Sequence, residues 1–194
     1  MSRPAAVFLH GLAGHGSEWD RLQERIPARA PDLRAYGSRD EYVADVVGLL
    51  EGRPQMLIGQ SLGGHTAMLV AARHPELVTR LVVIEASPAR DADAPQRVRA
   101  FFTAQPGAYG QRVDPGRAAA TVEELAPRDW WDEWGAIRCP TLVIRGERGA
   151  VDPSEAERMQ AENPHATLAV IANAGHDVHL DQPEALASAI ERWL

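Results

Sequence analysis

Residues 55–65, Gln55-Met56-Leu57-Ile58-Gly59-Gln60-Ser61-Leu62-Gly63-Gly64-His65, decide the fold. An apolar run ends at Gly59, and from Leu62 to Arg73 nearly every residue is apolar. That pattern is a buried strand, Gln55 to Gly59, turning directly into a buried helix. Between them stands Gly59-Gln60-Ser61-Leu62-Gly63, a G-x-S-x-G. A turn this sharp strains the serine backbone and lifts its hydroxyl above the sheet, the geometry of a nucleophile elbow. Neighbouring chain passes so close that only glycine fits at the flanking positions.

Outward from this turn, apolar runs alternate with amphipathic stretches. Further strands are expected at Ala5 to Leu9, Leu33 to Tyr36 (weak), Leu81 to Glu85, Thr141 to Arg145 and Thr167 to Ile171. Helices are expected from Ser17 to Ile26, from Asp40 to Leu50, from Ser154 to Glu162 and from Pro183 to Leu194. Tyr42, Val43, Val46, Val47 and Leu50 recur at three- and four-residue spacing, the stripe of a helix packed on a sheet. Strands alternating with helices imply a mostly parallel sheet covered on both faces, a three-layer α/β fold. The alternation breaks over residues 86–138, where prolines, the Gly107-Ala108-Tyr109-Gly110 turn and helical fragments replace it. The expectation is one domain, 1–194, with a helical insertion at 86–138 too small to fold alone.

Composition excludes several kinds of chemistry. All 20 Lys+Arg residues are Arg, so Schiff-base and P-loop lysines are ruled out. The net charge of −7, with arginines scattered among acids, speaks against nucleic acid as a partner. No stretch approaches the roughly 20 apolar residues of a membrane span, and Ala5 to Leu9 is too short for a secretory signal. Cys139 stands alone before Pro140, which implies a reducing cytoplasm and a buried, inert thiol.

Ser61 needs a base to activate it and donors for the oxyanion that forms on the attacked carbonyl. Ala174-Gly175-His176-Asp177 follows the last strand and makes His176 the base; His179 reads as a packing group. His10-Gly11-Leu12 closes the first strand, and the N–H groups of Leu12 and Leu62 would hold the oxyanion. His10 and Gly11 are assigned to the substrate side of this loop, although a histidine there also suits bonding to loop backbone. Phe101, Phe102, Tyr109, Trp130, Trp131 and Trp134 place six of the eleven aromatics in the insertion. Phe101, Phe102 and Tyr109 would roof the serine and favour an apolar acyl or aromatic substrate, or else these rings anchor the insertion to the body, as the tryptophans are expected mostly to do. No metal set is identifiable: His176, Asp177 and His179 would need further ligands.

The order H-G, G-x-S-x-G, Pro140-Thr141-Leu142-Val143-Ile144-Arg145-Gly146-Glu147, then Ala174-Gly175-His176-Asp177-Val178-His179-Leu180-Asp181-Gln182-Pro183 resembles the α/β-hydrolase superfamily over essentially the whole chain. Within it the chain is most similar to the small serine esterase and hydrolase branch, which implies no cofactor. Two departures stand out. Many relatives carry the triad acid in a G-x-x-D pattern after the strand preceding the final histidine. Here that stretch is Gly146-Glu147-Arg148-Gly149, so the aspartate is replaced by glycine. Asp152 lies three residues on, but Glu85, ending the strand after the nucleophile helix, matches a second known placement and is preferred; Glu147 remains a further alternative. The N-terminus is also short, leaving about six strands and a truncated sheet edge for a loop or, in a homodimer, a second subunit.

The reading is a serine hydrolase cleaving a carboxylic ester, thioester or lactone of a small molecule through an acyl-enzyme on Ser61. The competing readings are a lyase or carbon–carbon bond hydrolase using the same Ser-His site, and a low-turnover binding protein on the same fold.

Overall fold

The computed structural model describes residues 6–104 and 113–194. Five parallel strands form one sheet in the order β1 (Ala6–Leu9), β2 (Gln55–Gln60), β3 (Val78–Ile84), β4 (Thr141–Gly146) and β5 (Ala166–Ile171). The alternation of side chains across the pleat separates two apolar cores. Val7, Leu9, Leu57, Leu81, Val83 and Val143 face one side, and there they meet α2 (Arg39–Leu50) and α3 (Leu62–Arg73). Phe8, Met56, Ile58, Val82, Ile84, Leu142 and Ile144 face the other. That side is covered by Trp19, by α1 (Asp20–Gln23) and by Val178, Leu186 and Ile190 near the C-terminal end. Burial of the central strands on both faces explains why their middles read as apolar runs rather than as an alternation.

Between β3 and β4 the chain forms α4 (Ala94–Ala104), α5 (Pro115–Val122) and α6 (Trp131–Ala136). α7 (Pro153–Glu162) joins β4 to β5, and α8 (Val178–Asp181) and α9 (Pro183–Trp193) close the chain. Trp134 is fully buried and its Nε1 donates to Met159 O at 2.9 Å, while Trp130 packs edge-on against His65. These rings hold the β3–β4 segment to α3 and α7. No helix among the described residues is long and apolar enough to cross a membrane.

Two local expectations need correction. Leu33 to Tyr36 is not a strand, so the described sheet has five strands where about six were expected. Its backbone is taken by side chains instead: Leu33 N–H donates to His10 Nε2 at 2.8 Å, and Arg34 O accepts from the Tyr42 hydroxyl at 2.9 Å. The edge of β1 is met earlier, at Arg29, whose N–H donates to Ala6 O and whose carbonyl accepts from Phe8 N–H. Secondly, the stretch from Ser17 opens as a 3-10 turn (Gly16–Trp19) before α1, because the Ser17 hydroxyl bonds His15 rather than the backbone N–H groups ahead of it.

Candidate active site

The register aligns the carboxyl ends of the strands, Leu9 with Gly59, Gln60 with Ile84 and Ile84 with Ile144. The loops leaving those ends therefore converge above one edge of the sheet, where ligands bind in open α/β sheets. Ser61 emerges there at φ 53° and ψ −118°, its N–H donating to Ile84 O at 2.9 Å. The turn is tight enough that a Cβ on Gly63 would lie 2.6 Å from His10 O and closer still to Leu9 O. A Cβ on Gly59 would similarly strike the backbone of Gly63. Both motif glycines are thus required by space.

His176 stands on the loop after β5, with its Nδ1 3.3 Å from Glu85 Oε2. The Glu85 side chain is 0% exposed and that of His176 42%. A buried carboxylate is costly unless its oxygens are bonded. Those of Glu85 accept from Gly146 N–H at 2.8 Å, Ala150 N–H at 2.7 Å and Val151 N–H at 3.3 Å. Asp152 goes elsewhere. It caps α7, accepting from Ser154 N–H at 2.8 Å and the Ser154 hydroxyl at 2.6 Å, and these bonds hold its carboxyl below the usual range. Glu147 is likewise occupied, accepting from Asn173 N–H. Of the three candidate acids, Glu85 is the one brought to the His176 ring.

A cavity of about 240 Å³ is lined by Gly11, Leu12, Gln60, Ser61, Arg97, Val98, Phe101, Phe102, His176 and Asp177. The chain turns at Leu12, with Gly14 N–H donating to Gly11 O at 3.1 Å and Ala13 at φ 64°. Leu62 is the first residue of α3, so its N–H has no partner within the helix. Phe101 and Phe102 meet edge to face at 5.1 Å on one wall. Tyr109 lies outside the described residues. His10 does not line the cavity. Its Nε2 accepts from Leu33 N–H, which leaves Nδ1 to donate to Gly11 O at 2.7 Å. Both ring nitrogens are spent on backbone, so the expected substrate contact is replaced by support of the loop.

The sequence of residues 6–189 matches the family model described as the alpha/beta hydrolase family. The chain belongs to the α/β-hydrolase family. Like other members of that family it is a hydrolase. It is 30% identical to a pimeloyl-[acyl-carrier protein] methyl ester esterase of Aromatoleum aromaticum, covering 98% of each chain. It is 26% identical to an sn-1-specific diacylglycerol lipase of Mus musculus, covering 98% of this chain and 81% of the lipase. Among solved structures, the enol-lactonase from Burkholderia xenovorans LB400 superposes with a TM-score of 0.83 at 18% identity, covering 100% of this chain and 92% of that one. That last likeness is one of fold. The named esterase and lipase align with the hydrolase along nearly its whole length, so ester hydrolysis is the general chemistry of its relatives.

The hydrolase also contains site residues that its sequence did not announce. Gln60, the free position of the motif, is buried and donates from Nε2 to His176 O at 3.1 Å and Asp177 Oδ1 at 3.3 Å, bracing the histidine loop against the serine turn. A buried amide between a serine and a strand end was the available signal, since such a group needs a partner. Arg97 and Val98 enter the cavity wall from α4, which no motif marks. His179 is buried, stacks on Trp19 and lies 3.5 Å from Glu18 Oε2; this histidine lowers the Glu18 carboxyl below its ordinary value against the opposing effect of burial.

Proposed function

We propose that this hydrolase is a serine esterase acting on a small carboxylic ester, thioester or lactone. The observation that carries the reading is the pairing of His176 Nδ1 with the buried Glu85 carboxylate, on a ring that lines the same cavity as Ser61. With Nδ1 carrying its proton toward Glu85, Nε2 is left to act as base. Ser61 Oγ attacks the carbonyl carbon while His176 Nε2 takes its proton, and the N–H groups of Leu12 and Leu62 hold the resulting oxyanion. The tetrahedral intermediate collapses, His176 returns the proton to the departing alcohol or thiol, and an acyl group remains on Ser61. Water, deprotonated by His176, then attacks this ester; the acyl–Oγ bond breaks, His176 returns the proton to Ser61 Oγ, and the acid is released. Glu85 holds the imidazole in orientation and stabilises its cation. The wall of Val98, Phe101 and Phe102 suits an apolar or aromatic acyl group.

The relatives named as methyl ester esterase and lipase support esters over carbon–carbon bonds as the substrate class. The test is a panel of p-nitrophenyl esters of increasing acyl length, run with wild type and Ser61→Ala, together with labelling by a fluorophosphonate. Turnover and labelling are expected for wild type, with kcat reduced about 10³-fold or more and labelling abolished in Ser61→Ala. Turnover in Ser61→Ala near the wild-type rate overturns the mechanism.

A further inference from the structure

We propose that Gly149 is a positioning residue: the space left by its absent side chain is the seat of the Glu85 carboxylate, and that vacancy lets an acid from β3 orient His176. The proposal rests on the reading of Glu85 as the triad acid. A Cβ built on Gly149 would lie 2.5 Å from Glu85 Oε2 and closer still to Oε1 and Cδ, among all three atoms of the carboxyl group. A van der Waals contact needs well over 3 Å. Any side chain at 149 therefore expels the carboxyl of Glu85 from its place against the histidine.

Backbone conformation does not explain this glycine. Gly52 is the positive-φ glycine among the described residues, so residue 149 occupies backbone open to other amino acids. Space alone excludes them. The surroundings form a receptor for the carboxylate. Gly149 N–H closes a turn onto Gly146 O at 2.9 Å, and the same turn aims the N–H groups of Gly146, Ala150 and Val151 at the two oxygens of Glu85. The three N–H donors surround the gap left at Gly149. Glu85 fills it at a backbone cost, since it sits at φ 50° in the left-handed region.

The geometry has a converse. An aspartate at 149 would carry its carboxyl one bond beyond the Cβ position, into the space that the Glu85 carboxyl holds. With Glu85 shortened to alanine, that carboxylate would meet the same three donors and the same face of His176. Positions 85 and 149 are thus alternative origins for one acid and exclude each other.

The experiment compares wild type, Glu85→Ala, Gly149→Ala and the double variant Glu85→Ala/Gly149→Asp on the best p-nitrophenyl ester, with melting curves to establish folding. Glu85→Ala is expected to lower kcat by about 10²-fold or more with KM changed only a few-fold, as for the loss of a triad acid. Gly149→Ala retains every charged group and should lose kcat comparably, because it displaces the carboxylate. The double variant should recover at least tenfold over Glu85→Ala, which a merely structural role of either residue would not produce. A Glu85→Ala enzyme at the wild-type rate removes Glu85 from the triad. If Glu85→Ala is impaired but Gly149→Ala is not, or the double variant is no faster than Glu85→Ala, the seat at Gly149 is overturned while the acid stands.

Discussion

Ser61 at φ 53° and Glu85 at φ 50° place two strained, non-glycine residues within one site. Conformations of this kind cost of order 1–3 kcal/mol each and persist only where surrounding structure imposes them. Here the imposition is visible in bonds: Ser61 N–H to Ile84 O, Glu85 N–H to Ile144 O at 3.0 Å, and three N–H donors on the Glu85 carboxylate. Asp152 shows the contrast. Its carboxylate is engaged at the α7 N-terminus, so Asp152→Ala should lower stability slightly, as the loss of a helix cap does, and leave kcat within twofold. Urea unfolding and ester turnover of the purified variant measure the two effects; a large loss of kcat would restore Asp152 as the acid. Gly63→Ala belongs at the same scale. With the new methyl driven against Leu9 O and His10 O, the variant should lose several kcal/mol or fail to accumulate folded, as a thermal melt would report.

At the scale of elements, α4 provides the apolar wall. Phe102 is buried, whereas Phe101 remains 43% exposed at the cavity, so the two rings should behave differently on truncation. Phe101→Ala is expected to raise KM several-fold for medium-chain esters and to leave acetyl esters nearly unchanged, since only longer chains reach that ring. A uniform loss across chain lengths would show that Phe101 supports α4 rather than contacts substrate. The strands and long helices were legible because their apolar patterns are strong: β2, β3 and β4 carry the apolar runs Met56 to Ile58, Leu81 to Ile84 and Leu142 to Ile144, and α3 is recognised within its observed limits. Leu33 to Tyr36 was not legible. Its pattern is short, and what decides it is His10 and Tyr42 binding its backbone from elsewhere in the fold.

At the scale of the whole molecule, the fold is sensitive to acid through a histidine that catalysis does not use. His65 on α3 is buried against Trp130, and burial pushes its pKa down to about 3, with the charges of Arg39, Arg128 and Arg73 adding to the effect. The unfolded chain takes up this proton near pH 6.5, while the folded one stays neutral until about pH 3. Acid therefore favours unfolding throughout that window, with a slope of up to about 1.4 kcal/mol per pH unit, and above pH 6.5 the term vanishes. His65→Phe should flatten that part of the profile when urea unfolding is compared at pH 7.5, 6 and 5; equal slopes for the two proteins would refute it. The sequence by itself determined the layered α/β fold, the serine turn and the place of His176, because local periodicity and the sterics of G-x-S-x-G act over a few residues. Only the tertiary structure decided which carboxylate reaches His176. Glu85, Asp152 and Glu147 are chemically equivalent in sequence, and they are separated by which backbone N–H groups the folded loops turn toward each of them.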